Sequence, residues 1–203
     1  MRVQLAEMSE IASNPAPPTF QNTIVAMERS GQLLDRAARV FFNLNGADTN
    51  EARQAIQRAI EPMLAAHRDS IRLDPALFER ITALYNNRDD LALAANQRRL
   101  LDEYHRDFVR AGAALDAAGK ARLREINAEL ARLGTDFSQN VLKEANDSAL
   151  IVDSETELAG LAPAQLEAAA AEARERGLDG KFVITVRNYS SQPQLAILQD
   201  RTT

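Results

Sequence analysis

Between Thr19 and Leu44 the apolar residues recur at spacings of four and three, and no other stretch limits the fold so strongly. Phe20, Ile24, Met27, Gly31, Leu34, Ala38 and Phe41 form one stripe, which Leu33, Val40 and Leu44 widen. Gln32, Asp35, Arg36, Arg39 and Asn43 take the opposite face, with Asp35 four residues before Arg39. Pro15, Pro17 and Pro18 forbid helix just upstream, and Thr19 is placed to cap the first free amides. One helix of about 25 residues, roughly 37 Å long, is predicted. A helix of that length needs a partner lying along it, and Gly31 and Ala38 would allow close approach. The pattern reads as a helical-hairpin seam rather than a ligand groove.

Composition supports close-packed helices over a sandwich or barrel. Hydrophobic residues make up 45% of the 203, much of it alanine, while aromatics are 5% and tryptophan is absent. The net charge of −5 offers no electrostatic case for nucleic acid or an anionic membrane, so neither is expected as a partner. Without cysteine there are no disulfides, thiol nucleophiles or Cys-ligated zinc. No apolar run approaches the roughly 18 residues that a spanning helix requires.

The rest of the chain reads as a succession of helices closed by a small β element. Val3 to Ala12 is a short amphipathic helix without a cap. Asn45-Gly46-Ala47-Asp48 reads as a turn, and Asp48 with Glu51 as a capping box for a helix carrying Ile56, Ile60, Met63, His67 and Ile71, kinked at Pro62. Asp74-Pro75 starts a helix to about Tyr85. Another runs from about Leu93 to Leu115, and after a break near Gly119 the most regular of all carries Leu123, Ile126, Leu130, Leu133, Phe137 and Val141. Ala149 to Val152 and Phe182 to Val186 read as paired strands, joined by a helix that Ala162-Pro163 opens and Gly177 closes. Gln192-Pro193 starts a last helix that runs to Thr203, so the chain is expected to be a piece of something larger. The fold class is therefore mainly α: long antiparallel helical hairpins or a bundle, with a two-stranded β element near the C-terminal end. The expected division is 1–146, helical hairpins, and 147–203, a small α+β region.

The search for chemistry yields little. His67 sits on an apolar stripe with no ligating residue three or four positions away, and reads as a core histidine. His105 has Asp102 three residues before it, which is too little for a metal site without further ligands. Glu125 with Glu129, and Glu172 with Glu175, read as solvated pairs, and no serine has a triad partner. Asn188, Tyr189 and Gln192 occupy a polar loop between strand and helix and are the candidates for a substrate-binding surface.

Four runs carry a resemblance. They are Pro18 to Gly31 (PTFQNTIVAMERSG), Arg98 to Gly112 (RRLLDEYHRDFVRAG), Leu158-Ala-Gly-Leu161, and Lys181 to Val186 with Gln192-Pro193. In order and spacing the chain resembles the N-terminal region of zinc metallopeptidases of the thimet oligopeptidase and neurolysin family, nearest its bacterial peptidyl-dipeptidase branch. The resemblance implies a nearly all-helical protein with two lobes around a narrow channel, and zinc held by His-Glu-x-x-His and a later glutamate. None of those residues has a counterpart here, so no catalytic or metal residue is carried over. The expected function is that of a non-catalytic N-terminal region, part of the channel wall that limits access to short peptides. Zinc then belongs to the intact parent, and this chain alone is expected to be inactive and metal-free. The expected partners are the missing C-terminal catalytic half, short peptides in the parent, and a second copy through uncovered apolar strips. A cytoplasmic location is expected, with the periplasm as the alternative. The competing reading is a free-standing helical scaffold or interaction module.

Overall fold

The computed structural model describes residues 1–185 and 194–199, the side chain of Asn146 apart. Within them the chain is mainly helical, with one two-stranded antiparallel sheet near the C-terminal end. It divides into two compact units, Met1–Asp136 and Phe137–Thr203.

In the first unit, α1 (Arg2–Ala12) precedes a π-helical turn (Gln21–Val25) that runs into α2 (Ala26–Arg29). Thr19 caps this segment as its sequence suggests: its Oγ1 accepts from the Asn22 amide at 3.0 Å, and Asn22 Oδ1 accepts from the Thr19 amide at 2.8 Å. Arg80, only 7% exposed, fixes the loop before it by donating to the carbonyls of Asn14 (2.9 Å) and Ala16 (3.2 Å) and to Asn22 Oδ1 (3.0 Å). The first core gathers Met8 and Ile11 from α1, Phe20, Ile24 and Met27 from the next segment, and residues of two later helices. Those are Leu77, Ile81 and Leu84 of α5 (Pro75–Asn86), and Leu101 and Phe108 of α6 (Ala95–Arg110). Ile24, Ile81 and Leu101 are fully buried, each worth about 1.5–3 kcal/mol relative to exposure.

The long helix expected from Thr19 to Leu44 is broken. Ser30 is extended and Gly31 has φ 69°, so the chain turns before α3 (Gln32–Ala47) begins. The break is tied down from α1: the Gly31 amide donates to Glu7 Oε2 at 2.8 Å, and a Cβ on Gly31 would lie 2.3 Å from the Gln4 side chain. The positive φ favours glycine, and any Cβ would also require the end of the Gln4 side chain to move. α3 then continues through Asn45-Gly46-Ala47, where a turn was expected. The cap of α4 (Glu51–Arg72) is Asn50, whose side chain accepts from the Arg53 amide, in place of the anticipated Asp48. Pro62 lies inside α4 as expected, and Asp74 caps α5 with Pro75 in its first turn. The break before α7 (Ala117–Asp147) comes at Gly112, φ 91°, where a Cβ would meet Leu123 Cδ2 at 2.4 Å. Gly119 instead falls within the first turn of α7.

The second unit pairs β1 (Leu150–Val152) with β2 (Phe182–Ile184), Leu150 opposite Ile184 and Val152 opposite Phe182. α8 (Pro163–Glu175) packs on them, and Val152, Leu158, Leu161, Ala169 and Ile184 make the second core. Beyond β2 the expected last helix is not continuous. Leu195–Ile197 form a single 3-10 turn and Leu198 is extended, its neighbour Gln199 donating its amide to the Ala159 carbonyl at 2.9 Å. Gln192, Pro193 and 200–203 lie outside the described residues, as do Asn188 and Tyr189. No helix among the described residues is long and apolar enough to cross a membrane.

Candidate functional site

A cleft of about 740 Å³ lies in the first unit. α3 forms one side with Leu34, Asp35, Ala38 and Phe42, while Leu64, His67, Ile71 and Arg72 of α4 and Leu100, Tyr104 and Phe108 of α6 form the others. Asp35, expected on the solvent face, lines the cleft, and so does Phe42. α3 buries none of its residues, and Leu33, Val40 and Leu44 remain 66%, 61% and 55% exposed. The apolar stripe read from the sequence is therefore buried through Phe20, Ile24 and Met27, half-buried at Leu34, Ala38 and Phe41, and uncovered at the residues that widen it.

His67 is 6% exposed and makes a single hydrogen bond, its Nε2 donating to Gln4 Oε1 at 2.7 Å. That bond places the proton of the neutral ring on Nε2 and leaves Nδ1 buried without a partner among the described residues. Burial, with the positive amino terminus adding to it, lowers the His67 pKa. Tyr104 donates to Glu28 Oε1 at 2.5 Å, and its pKa is pushed up first by burial and then by that carboxylate. Arg72 stands 5.9 Å from the centre of the Phe108 ring and 4.0 Å from Asp107 Oδ2. The cleft thus offers an apolar floor, a neutral histidine and a phenol held protonated. Its serine, Ser30, accepts from Gln4 and donates to the Met27 carbonyl rather than meeting His67.

The other titratable candidates are dispersed. His105 stacks on Tyr85 at 3.9 Å between ring centres and on Phe78 at 5.8 Å. Its pKa is lowered by burial and by Arg88, against the opposing pull of Asp102. Asp102 itself faces Arg88 at 3.6 Å, so it does not join His105 in a ligand pair. Glu125 and Glu129 each pair with an exposed arginine, Arg122 and Arg132, both at 2.7 Å. Glu172 holds Arg176 at 2.8 Å. Among the described residues no three His, Asp or Glu side chains converge in a way that could hold a metal ion, so the residues present do not fit a zinc site. The cleft itself was missed by sequence reasoning, because its walls come from residues as far apart as Gln4 and His67, and only tertiary packing joins them.

A helical chain of this organisation, carrying the four runs noted above, fits the N-terminal region of thimet oligopeptidase-type metallopeptidases. The similarity is seen in individual relatives. The dipeptidyl carboxypeptidase of Salmonella typhimurium is 41% identical over 203 residues, 100% of this chain and 30% of that protein. Its Escherichia coli counterpart is 39% identical over the same 203 residues, again 30% of its length. Oligopeptidase A of Haemophilus influenzae is 29% identical over 173 residues, 84% of this chain and 25% of that protein. The chain therefore spans less than a third of the curated relatives it matches. No family model matches it.

Proposed function

We propose that this chain is the non-catalytic N-terminal region of a zinc-dependent peptidyl-dipeptidase or oligopeptidase, forming part of the wall that limits its substrate channel to short peptides. The observation that carries the reading is the pairing of full-length similarity to 30% of two dipeptidyl carboxypeptidases with apolar helix faces that stay exposed among the described residues. On α7, Ile126, Leu130, Leu133, Phe137 and Val141 are 39%, 61%, 46%, 70% and 44% exposed. A helix that is regular in its apolar spacing yet uncovered implies a surface elsewhere that it was selected to meet. In this reading the division is 1–146 and 147–203, zinc is supplied and held by the catalytic part, and the parent works in the cytoplasm. Asn188, Tyr189 and Gln192 contribute polar contacts to the peptide. Apart from its catalytic part, the chain self-associates through its apolar strips.

A chimera tests the reading. The matched region of the Salmonella typhimurium dipeptidyl carboxypeptidase is replaced by this chain, and release of C-terminal dipeptides from an N-blocked tetrapeptide is followed together with metal content. The chimera is expected to bind zinc and release dipeptides, and the chain alone to do neither. A folded, zinc-loaded chimera without activity, or turnover by the chain alone, overturns the proposal.

A further inference from the structure

A second concavity, about 490 Å³ in volume, opens between the C-terminal half of α4, the end of α6 and the first half of α7. Arg68, Arg72 and Arg110 line it, all exposed, in a chain whose net charge is −5. The Arg68 and Arg110 side chains make no ion pair or hydrogen bond among the described residues, and Arg72 has the Asp107 contact at 4.0 Å besides its place over the Phe108 ring. The one carboxylate lining the groove, Asp69, is 9% exposed and accepts from Asn127 Nδ2 at 2.8 Å, a bond that ties α4 to α7. The groove also presents Leu123 and the 61%-exposed Leu130 beside its guanidiniums. Some surface arginines pair with carboxylates of their own helix, as Arg39 does with Asp35 and Arg132 with Glu129 and Asp136. What sets this groove apart is that three guanidiniums share one concavity with a single carboxylate.

From this we infer that the groove between α4, α6 and α7 is a docking site for an acidic amphipathic polypeptide segment, which sets carboxylates against Arg68, Arg72 and Arg110 and an aliphatic side chain against Leu123 and Leu130. Guanidiniums suit this task because their planar donors engage carboxylates in two parallel hydrogen bonds and give up hydration readily. The neighbouring leucines distinguish a polypeptide from a free anion. The three guanidiniums disfavour a basic partner, and Asp69, buried and already bonded to Asn127, opposes an acidic one little.

The probe is a fluorescein-labelled 14-residue peptide with glutamate and leucine at helical spacing, compared by fluorescence anisotropy with the same peptide carrying glutamine for glutamate. The acidic peptide is expected to bind at low salt. Glutamine replacement, or the double variant R68Q/R110Q, is expected to weaken binding roughly five- to tenfold, while R124Q, on α7 outside the groove, stays within about twofold. Raising the salt from about 50 to 300 mM should weaken it several-fold. The inference is overturned if both peptides bind equally, if R124Q matches R68Q/R110Q, if no binding is seen up to millimolar concentration, or if inorganic phosphate competes at concentrations comparable to the peptide. Because the experiment needs no peptidase activity, its outcome is independent of the chimera result.

Discussion

Individual side chains in this protein hold distant segments together more than they poise chemistry. Arg80 joins α5 to the proline-rich loop through two carbonyls and to the π-helical turn through Asn22, and His67 joins α4 to α1 through Gln4. The histidine makes the fold pH-sensitive. In the folded chain the pKa values of His67 and His105 lie below their ordinary value, chiefly through burial, whereas in the unfolded chain they titrate near 6.5. As pH falls the unfolded state binds these protons first. The contribution is therefore fully present above about pH 6.5 and is lost as pH drops toward the lowered folded values. Urea midpoints at pH 7.5 and 5.5 should show a smaller decline for His67→Gln than for the wild type, because glutamine keeps a donor toward Gln4 without a titrating ring. An equal or steeper decline in the variant would remove His67 from the account.

At the scale of elements, most of the architecture was legible in the sequence and most of its punctuation was not. Periodicity placed α4 and α7, the Asp74-Pro75 start signal placed α5, and the short apolar runs placed β1 and β2. The same periodicity hid the break at Ser30-Gly31, since a stripe carries across a glycine whether or not the backbone turns there. What accompanies the break is non-local: the Gly31 amide donates to Glu7 of α1, and the end of the Gln4 side chain packs against Gly31. The cap of α4 shows a different ambiguity, because Asp48 and Asn50 are both good capping residues two positions apart. Asn50→Ala should cost about 1 kcal/mol in thermal or urea unfolding, and Asp48→Ala less than about 0.5 kcal/mol. The reverse order would restore the cap read from the sequence. The arginine groove was illegible for a simpler reason, that its three guanidiniums come from two helices 38 or more residues apart in the chain.

For the molecule as a whole, the informative feature is where apolar surface remains. The two cores are closed around Ile24, Ile81 and Leu101 in one unit and around Leu158 and Val152 in the other. By contrast α3 buries no residue, and the stripe on α7 faces outward along its length. The central claim is that this stripe meets the remaining part of a longer peptidase. Sedimentation velocity of the chain mixed with the Salmonella typhimurium dipeptidyl carboxypeptidase lacking its matched region tests that claim most directly. The account predicts a one-to-one complex for the wild type and its loss for Leu133→Glu with Phe137→Glu, two exposed positions whose change leaves the chain folded. A wild-type chain that sediments apart from that partner, or a complex that the double variant leaves intact, would contradict it.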